Sequence, residues 1–408
     1  MRCTLYRHIG RASLILSVCF ILQATGLNAA EPASVEEVQM AVEKGLFFVE
    51  QNSVEWWAGE KCSSCHHGPM LLFSHNIAKR RGFQIPQKRL DFYTDKWVLV
   101  DGLVHNRKSD GRKDAGGMLG APLTMLFRDE ANDKPRSKSF GTLMQIAGKD
   151  WQHDDGSWDI KVRLDYQPWI VMALESYQQS DMTFDDDLQQ EIASRRKHTE
   201  AWINSREDLG FPETTEDLTT WLVYEHHRKN SIRKDALLKE LLPRRRADGW
   251  WSIKRDSKNG HQMITAVVLF GLTSIGLETS QSVVAETQRL LLDKQHDEGH
   301  WEEGGRIFDD GKEPENPVYQ MWTTALACAA LSQTVQLPAN TPRQFQPSEK
   351  DIKSLTETMK AAAKGYKGKF VTQAEIEAFR KKQEAKKKRN GKKPAKDKDE
   401  MTEEEIKQ

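Results

Sequence analysis

The sequence predicts an all-α chain, an α/α toroid of about six helical hairpins followed by a charged C-terminal tail. Two patterns carry that expectation. Short turns joining Gly to an aromatic recur at Asp155-Gly156-Ser157-Trp158, Gly210-Phe211, Asp248-Gly249-Trp250-Trp251 and Glu298-Gly299-His300-Trp301, at irregular intervals that suit one helical hairpin each. Each turn also follows an amphipathic stretch and precedes a more continuously apolar one. Leu237, Leu238, Leu241 and Leu242 form a one-sided stripe before the third turn, and residues 265–272 behind it are apolar all round. Val283, Val284, Thr287, Leu290 and Leu291 precede the last turn, and residues 322–331 follow it. Amphipathic helices outside and apolar helices inside close most simply as a ring; an open solenoid is the alternative.

The alternation extends toward the N-terminus. Val42, Leu46 and Val49 share one helical face ahead of the turn that holds a cysteine pair, and residues 70–77 supply the apolar partner. Segments 90–104 and 119–127 make the second hairpin, which brings the count to six. Residues 31–344 therefore form the toroid.

Both ends fall outside it. Arg2, Arg7 and Arg11, an apolar run too short for a stable span, and small residues around Ala29 and Ala30 read as a secretory signal over residues 1–30. A lipoprotein reading would use Cys19, but Val18 stands where a smaller residue is wanted. Residues 345–408 are dominated by charge with little apolar surface, and are expected as a solvated helix or a disordered tail.

Formal net charge is zero and pI about 7.2, so no whole-molecule field points to nucleic acid or an anionic membrane. A negative mean hydropathy fits a chain with no transmembrane segment after the signal. Removal of the signal leaves Cys62, Cys65 and Cys328, which excludes a dense disulfide framework. Cys328 lies in an apolar stretch and reads as a small buried hydrophobe.

The remaining two cysteines carry the strongest chemical signal. Cys62-Ser63-Ser64-Cys65-His66 is a CxxCH string, whose spacing lets two thiols reach two vinyl groups on one porphyrin edge while the next imidazole binds the iron. It resembles the attachment motif of c-type cytochromes, which implies one covalent haem c on Cys62 and Cys65 with His66 as axial ligand. Export agrees, because such haem is attached outside the cytoplasm. Zinc bound through the same residues has no second Cys/His pair to complete it, a Cys62–Cys65 redox disulfide lacks a βαβ context, and an unused motif is the last alternative. For the sixth iron position His67 is too close to His66, and Met70 would have to wrap the ring edge. Met118 in a Gly-rich loop, an open or water-bound site, and a distant His such as His105 stay open.

Gln295-His296-Asp297-Glu298-Gly299-His300-Trp301, with the weaker DGSW and DGWW turns, resembles the repeats of the squalene-cyclase and prenyltransferase superfamily. That resemblance spans roughly residues 35 to 335 and implies a toroid tied together by stacked Trp residues. The DxDD acid of terpene-cyclising members is missing: Asp185-Asp186-Asp187 reads as charge opening an outer helix, and Glu216-Asp217 is interrupted by Leu218. No catalytic residue is assigned. Polar and aromatic groups at inner-helix starts (Tyr166, Gln167, Trp169; Asp217; His261, Gln262; Tyr319, Gln320, Trp322) would gather at one mouth, as a ligand site or as helix caps. The sequence thus points to an exported, periplasmic, single-haem protein for electron transfer or redox or ligand sensing, with an unidentified redox partner. An enzyme holding a small apolar or isoprenoid ligand, and a non-enzymatic binding module, are the alternatives.

Overall fold

The computed structural model describes residues 32–60, 67–98, 152–158, 166–178, 186–205, 210–302 and 317–365. Those residues are all-α, with no strand beyond isolated bridges. The helices are α1 (Val35–Glu60), α2 (His67–Arg80), α3 (Gln87–Tyr93) with a π-helical turn (Thr94–Val98), α4 (Tyr166–Gln178), α5 (Asp186–Asn204), α6 (Thr215–His227), α7 (Ser231–Leu241), α8 (Gln262–Ser274), α9 (Ser282–Leu292), α10 (Pro317–Gln333) and α11 (Glu349–Gly365). None is long and apolar enough to cross a membrane.

Composition sorts the helices. In α8 every residue from Met263 to Leu272 is buried, because its neighbours surround it. In α9 only one face is: Val283, Val284, Thr287 and Leu291 point inward while the opposite side meets water. The apolar helices abut in the order α4, α6, α8, α10, α2, and all five border one cavity. Gly271 lets α8 approach α6 closely, since a Cβ there would collide with Thr219. Each amphipathic helix covers its neighbour from outside, α5 on α4, α7 on α6 and α9 on α8, while α1 packs on both α2 and α10.

Three turns share one bonding scheme. The second residue donates its N–H to the sixth (His153 to Ser157 at 2.7 Å, Arg246 to Trp250 at 2.9 Å, His296 to His300 at 2.9 Å), and Gly156, Gly249 and Gly299 supply the positive φ between them. Trp158, Trp251 and Trp301 follow, all buried. The Trp158 indole donates to Thr199 of α5 at 2.8 Å and that of Trp251 to Thr287 of α9 at 3.2 Å, each joining a turn to the next outer helix. Truncating such a buried indole to Ala costs about 3–5 kcal/mol.

The leading residue completes the scheme. Gln152 donates to Gly156 O at 3.3 Å and to Arg195 O of α5 at 3.0 Å; Gln295 donates to Gly299 O and to Ala41 O of α1, both at 2.8 Å. In the middle turn Arg245 takes that place, bonding Gly249 O at 3.2 Å and Glu286 of α9 at 2.6 Å. The last turn therefore treats α1 as its next outer helix: a Cβ on Gly299 would lie 2.7 Å from Lys44 O. Glu37, in a capping box with Ser34 at the start of α1, also receives Arg289 of α9 at 3.1 Å.

The expected C-terminal tail begins too early. The compact unit runs to residue 368, with 369–408 as a second unit. Gln344 and Phe345 donate their N–H groups to the buried Glu43 carboxylate at 2.8 and 2.7 Å, Phe345 meets Phe47, and α11 lays Leu355, Met359 and Ala362 against the core beside α1. Residues 349–365 are charged on average but one-sided, which suffices to dock a helix.

Candidate functional site

Helix α1 stops at Glu60 and α2 starts at His67, so the six residues between them, which include Cys62, Cys65 and His66, join two helices that pack on each other. Those three residues lie outside the described residues, as do Met118 and His105. Their flanks are described. At the α1 end Trp56 stacks on His67 with centroids 4.4 Å apart, and Ser53 Oγ reaches His67 O at 3.5 Å. Trp57 stacks on Trp97 of the π-helical turn at 5.0 Å, nearly parallel, with Phe92 edge-on at 6.1 Å. Trp57 and Trp97 are fully buried.

Below this aromatic wall lies a polar tie. Glu50 of α1, itself buried, accepts from Arg89 at 3.0 Å and from the Tyr93 hydroxyl at 2.7 Å, so α3 and the π-helical turn are held to α1 by a charge-assisted pair. Burial, with the nearby Glu50 charge, pushes the Tyr93 phenol far above its ordinary value and keeps it a donor. His75 of α2 is buried alongside; its Nδ1 donates to Leu71 O at 2.8 Å, and desolvation holds its imidazole below the ordinary value, so it is neutral near pH 7.

The expected mouth residues are largely structural. Gln167 bonds the Trp158 backbone through both amide atoms, His261 donates its N–H to Trp251 O at 2.9 Å, and Trp169 Nε1 reaches Thr220 at 3.3 Å. Thr214 caps α6 by accepting the Asp217 N–H at 3.1 Å, so Asp217 sits in a first helical turn as its charge favours. Asp186 and Asp187 open α5. Met70 is buried in α2, and Cys328 in α10, where burial pushes its thiol well up.

Comparison with known proteins finds no matching protein family and no matching curated protein. The residues themselves must carry the reading.

The cavity bordered by the five apolar helices is about 300 Å³ and lies toward the C-terminal ends of α2, α6, α8 and α10. Arg80, Arg81, His226 and His227 stand at its rim with Ile77, Met172 and Trp169. Trp169, which lines the cavity, packs on Phe270 at 6.2 Å, and Phe270 on Phe73 at 5.5 Å.

The surroundings of the CxxCH link fit a haem. A flat apolar macrocycle suits indole faces already shielded from water. Trp97 Nε1 is a buried donor with no acceptor among the described residues, the kind of group a haem carboxylate satisfies. Trp56, Trp57 and Trp97 were missed in the sequence, though a Trp pair five residues before the first cysteine was readable as an apolar approach to it.

Proposed function

We propose that this chain is an exported, periplasmic, single-haem c-type protein in which Cys62 and Cys65 hold the macrocycle through thioether bonds and His66 ligates the iron, on a scaffold related to the squalene-cyclase toroids. The observation that carries the reading is the CxxCH string in the short link between two packed helices, preceded by half-buried Trp56 and by Trp57, which is buried against Trp97. When bound, haem supplies a reversible one-electron couple. The chain's own residues would do the rest: His66 would hold the iron, the indoles would keep water from the macrocycle, and the Glu50–Arg89–Tyr93 tie fixes the π-helical turn that carries Trp97. Met118, or a distant His such as His105, would supply the second iron ligand if the haem serves electron transfer, and an open position would suit ligand sensing.

The isoprenoid reading gains nothing from the cavity near the C-terminal helix ends. A polyprenoid needs a long apolar chamber; this one is small, about 300 Å³, and is lined in part by the cationic Arg80 and Arg81.

The test is expression with the c-type maturation machinery. Haem staining that survives denaturing electrophoresis, lost in Cys62→Ala with Cys65→Ala, is the expected outcome; a colourless chain of bare polypeptide mass refutes it. Loss of a thioether-to-iron charge-transfer band in Met118→Ala assigns the sixth ligand, and its absence from the parent leaves an open position or a histidine such as His105.

A further inference from the structure

We propose that the last Gly–Trp turn is a site for a divalent transition metal, held by His296, His300 and Glu302. The backbone scheme common to the three turns makes the second and sixth residues direct partners, so their side chains emerge next to each other. In the first two turns those positions hold His153 with Ser157 and Arg246 with Trp250, which cannot share a cation. In the third both are imidazoles, stacked with centroids 4.5 Å apart and planes within 2°. Glu302, two residues past His300, comes back beside the pair, with Oε1 at 3.3 Å from His296 Nε2. One ligand atom from each of the three lies within 4.8 Å of the others, in a half-buried position.

A His–Glu ion pair would need only one of these imidazoles. The second, set on a frame that cannot drift, turns the pair into a ligand set. Gln295 bonds Ala41 O, Gly299 presses on Lys44, and the Trp301 indole donates to Leu291 O at 2.7 Å, while Phe48 packs on the His300 ring at 5.0 Å. Two imidazoles and one carboxylate select zinc, or copper or nickel, over calcium and magnesium, which want oxygen alone. Metal–nitrogen bonds of about 2.0–2.1 Å require the two stacked rings to tilt out of parallel, so that the lone pair of each nitrogen, which lies in its ring plane, points at the ion. The site is independent of the haem reading.

The experiment uses the untagged full chain without its signal, stripped with chelator and equilibrated with Zn²⁺ at neutral pH, bound metal being measured after dialysis. One equivalent is expected, lost in His296→Gln and in Glu302→Gln and retained in His153→Gln. Cu²⁺ in the same chain should show electron spin coupling to two nitrogens, falling to one in His300→Asn. Zinc retained undiminished by His296→Gln and Glu302→Gln, as it would be if it sat on Cys62 and Cys65, overturns the proposal, as does a chain that retains none. Circular dichroism of the exposed-side variants His296→Gln and Glu302→Gln separates lost binding from lost fold, and loss of zinc without loss of helix is the supporting result.

Discussion

The turns at 152–158 and 295–301 share the bridge across the turn and the bonds of the leading Gln but rest on very different neighbours. The first bonds α5, which follows it closely in the chain; the second bonds α1, which precedes it by more than half the sequence. Where α5 offers Thr199 to the Trp158 indole, α1 offers Gly45, so the Trp301 indole turns to Leu291 O and Cys328 fills the space a Cβ would have taken. A local turn can use a side-chain acceptor on an adjacent helix. A turn that meets a helix from the other end of the chain has to clear room for it, and small residues at Gly45 and Gly299 do that.

The largest effect that could break this comparison is at the indoles. Trp301→Ala should cost about 3–5 kcal/mol in urea unfolding, as Trp158→Ala does, with α1 additionally loosened in hydrogen exchange. If α1 exchanges no faster in Trp301→Ala than in Trp158→Ala, the last turn does not hold α1. Removing residues 346–408 comes next, because it strips Leu355, Met359 and Ala362 from α1; a loss of about 2–4 kcal/mol is expected, against none for removal of 369–408. Equal melting temperatures for the two truncations would return the tail boundary to residue 345. The smallest effect sharpens the leading position of the turn. Gln295→Ala strands two carbonyls and should cost about 1–2 kcal/mol, whereas Arg245→Gln gives up a partly exposed ion pair worth less than about 1 kcal/mol. Equal costs in paired unfolding curves would show that the carbonyl bonds carry no special weight.

Much of this was legible. The all-round apolar run in α8 and the one-sided stripe in α9 fix inside and outside without any coordinates. Gln152 was also on the page: with Gly156 and Trp158 it spells the same pattern as Gln295, Gly299 and Trp301, and reading only the DGSW portion hid a well-formed turn. What could not be read was long-range. Nothing local in Gln39, Glu43 or Lys44 announces that residues 295–301 and 342–345 dock there. The docked helix α11 was lost to averaging, because the spacing of Leu355, Met359 and Ala362 marks a face that its charged composition conceals. At the CxxCH link the sequence proposed the ligands, and the structure added Trp56, Trp57 and Trp97 at the end of the helix that leads into it. His296, His300 and Glu302 went unnoticed because their grouping depends on the bridge across the turn.

The contact between Cys328 and Val42, separated by 286 positions, bears on how the chain must fold. Among the described helices synthesis delivers α1 first, with Val38, Val42, Leu46 and Val49 already forming an apolar face, yet the helices that pack on it from the far end, α10 and then α11, emerge last. Until then α1 has only α2 and the aromatic residues about the CxxCH link to shelter against. Loop closure over such a distance is slow, and the waiting helix is the segment most open to chaperone capture or to pairing with another nascent chain. A circular permutant that begins at α10 and runs into α1 would make this contact early, and should refold faster with less aggregation than the natural order.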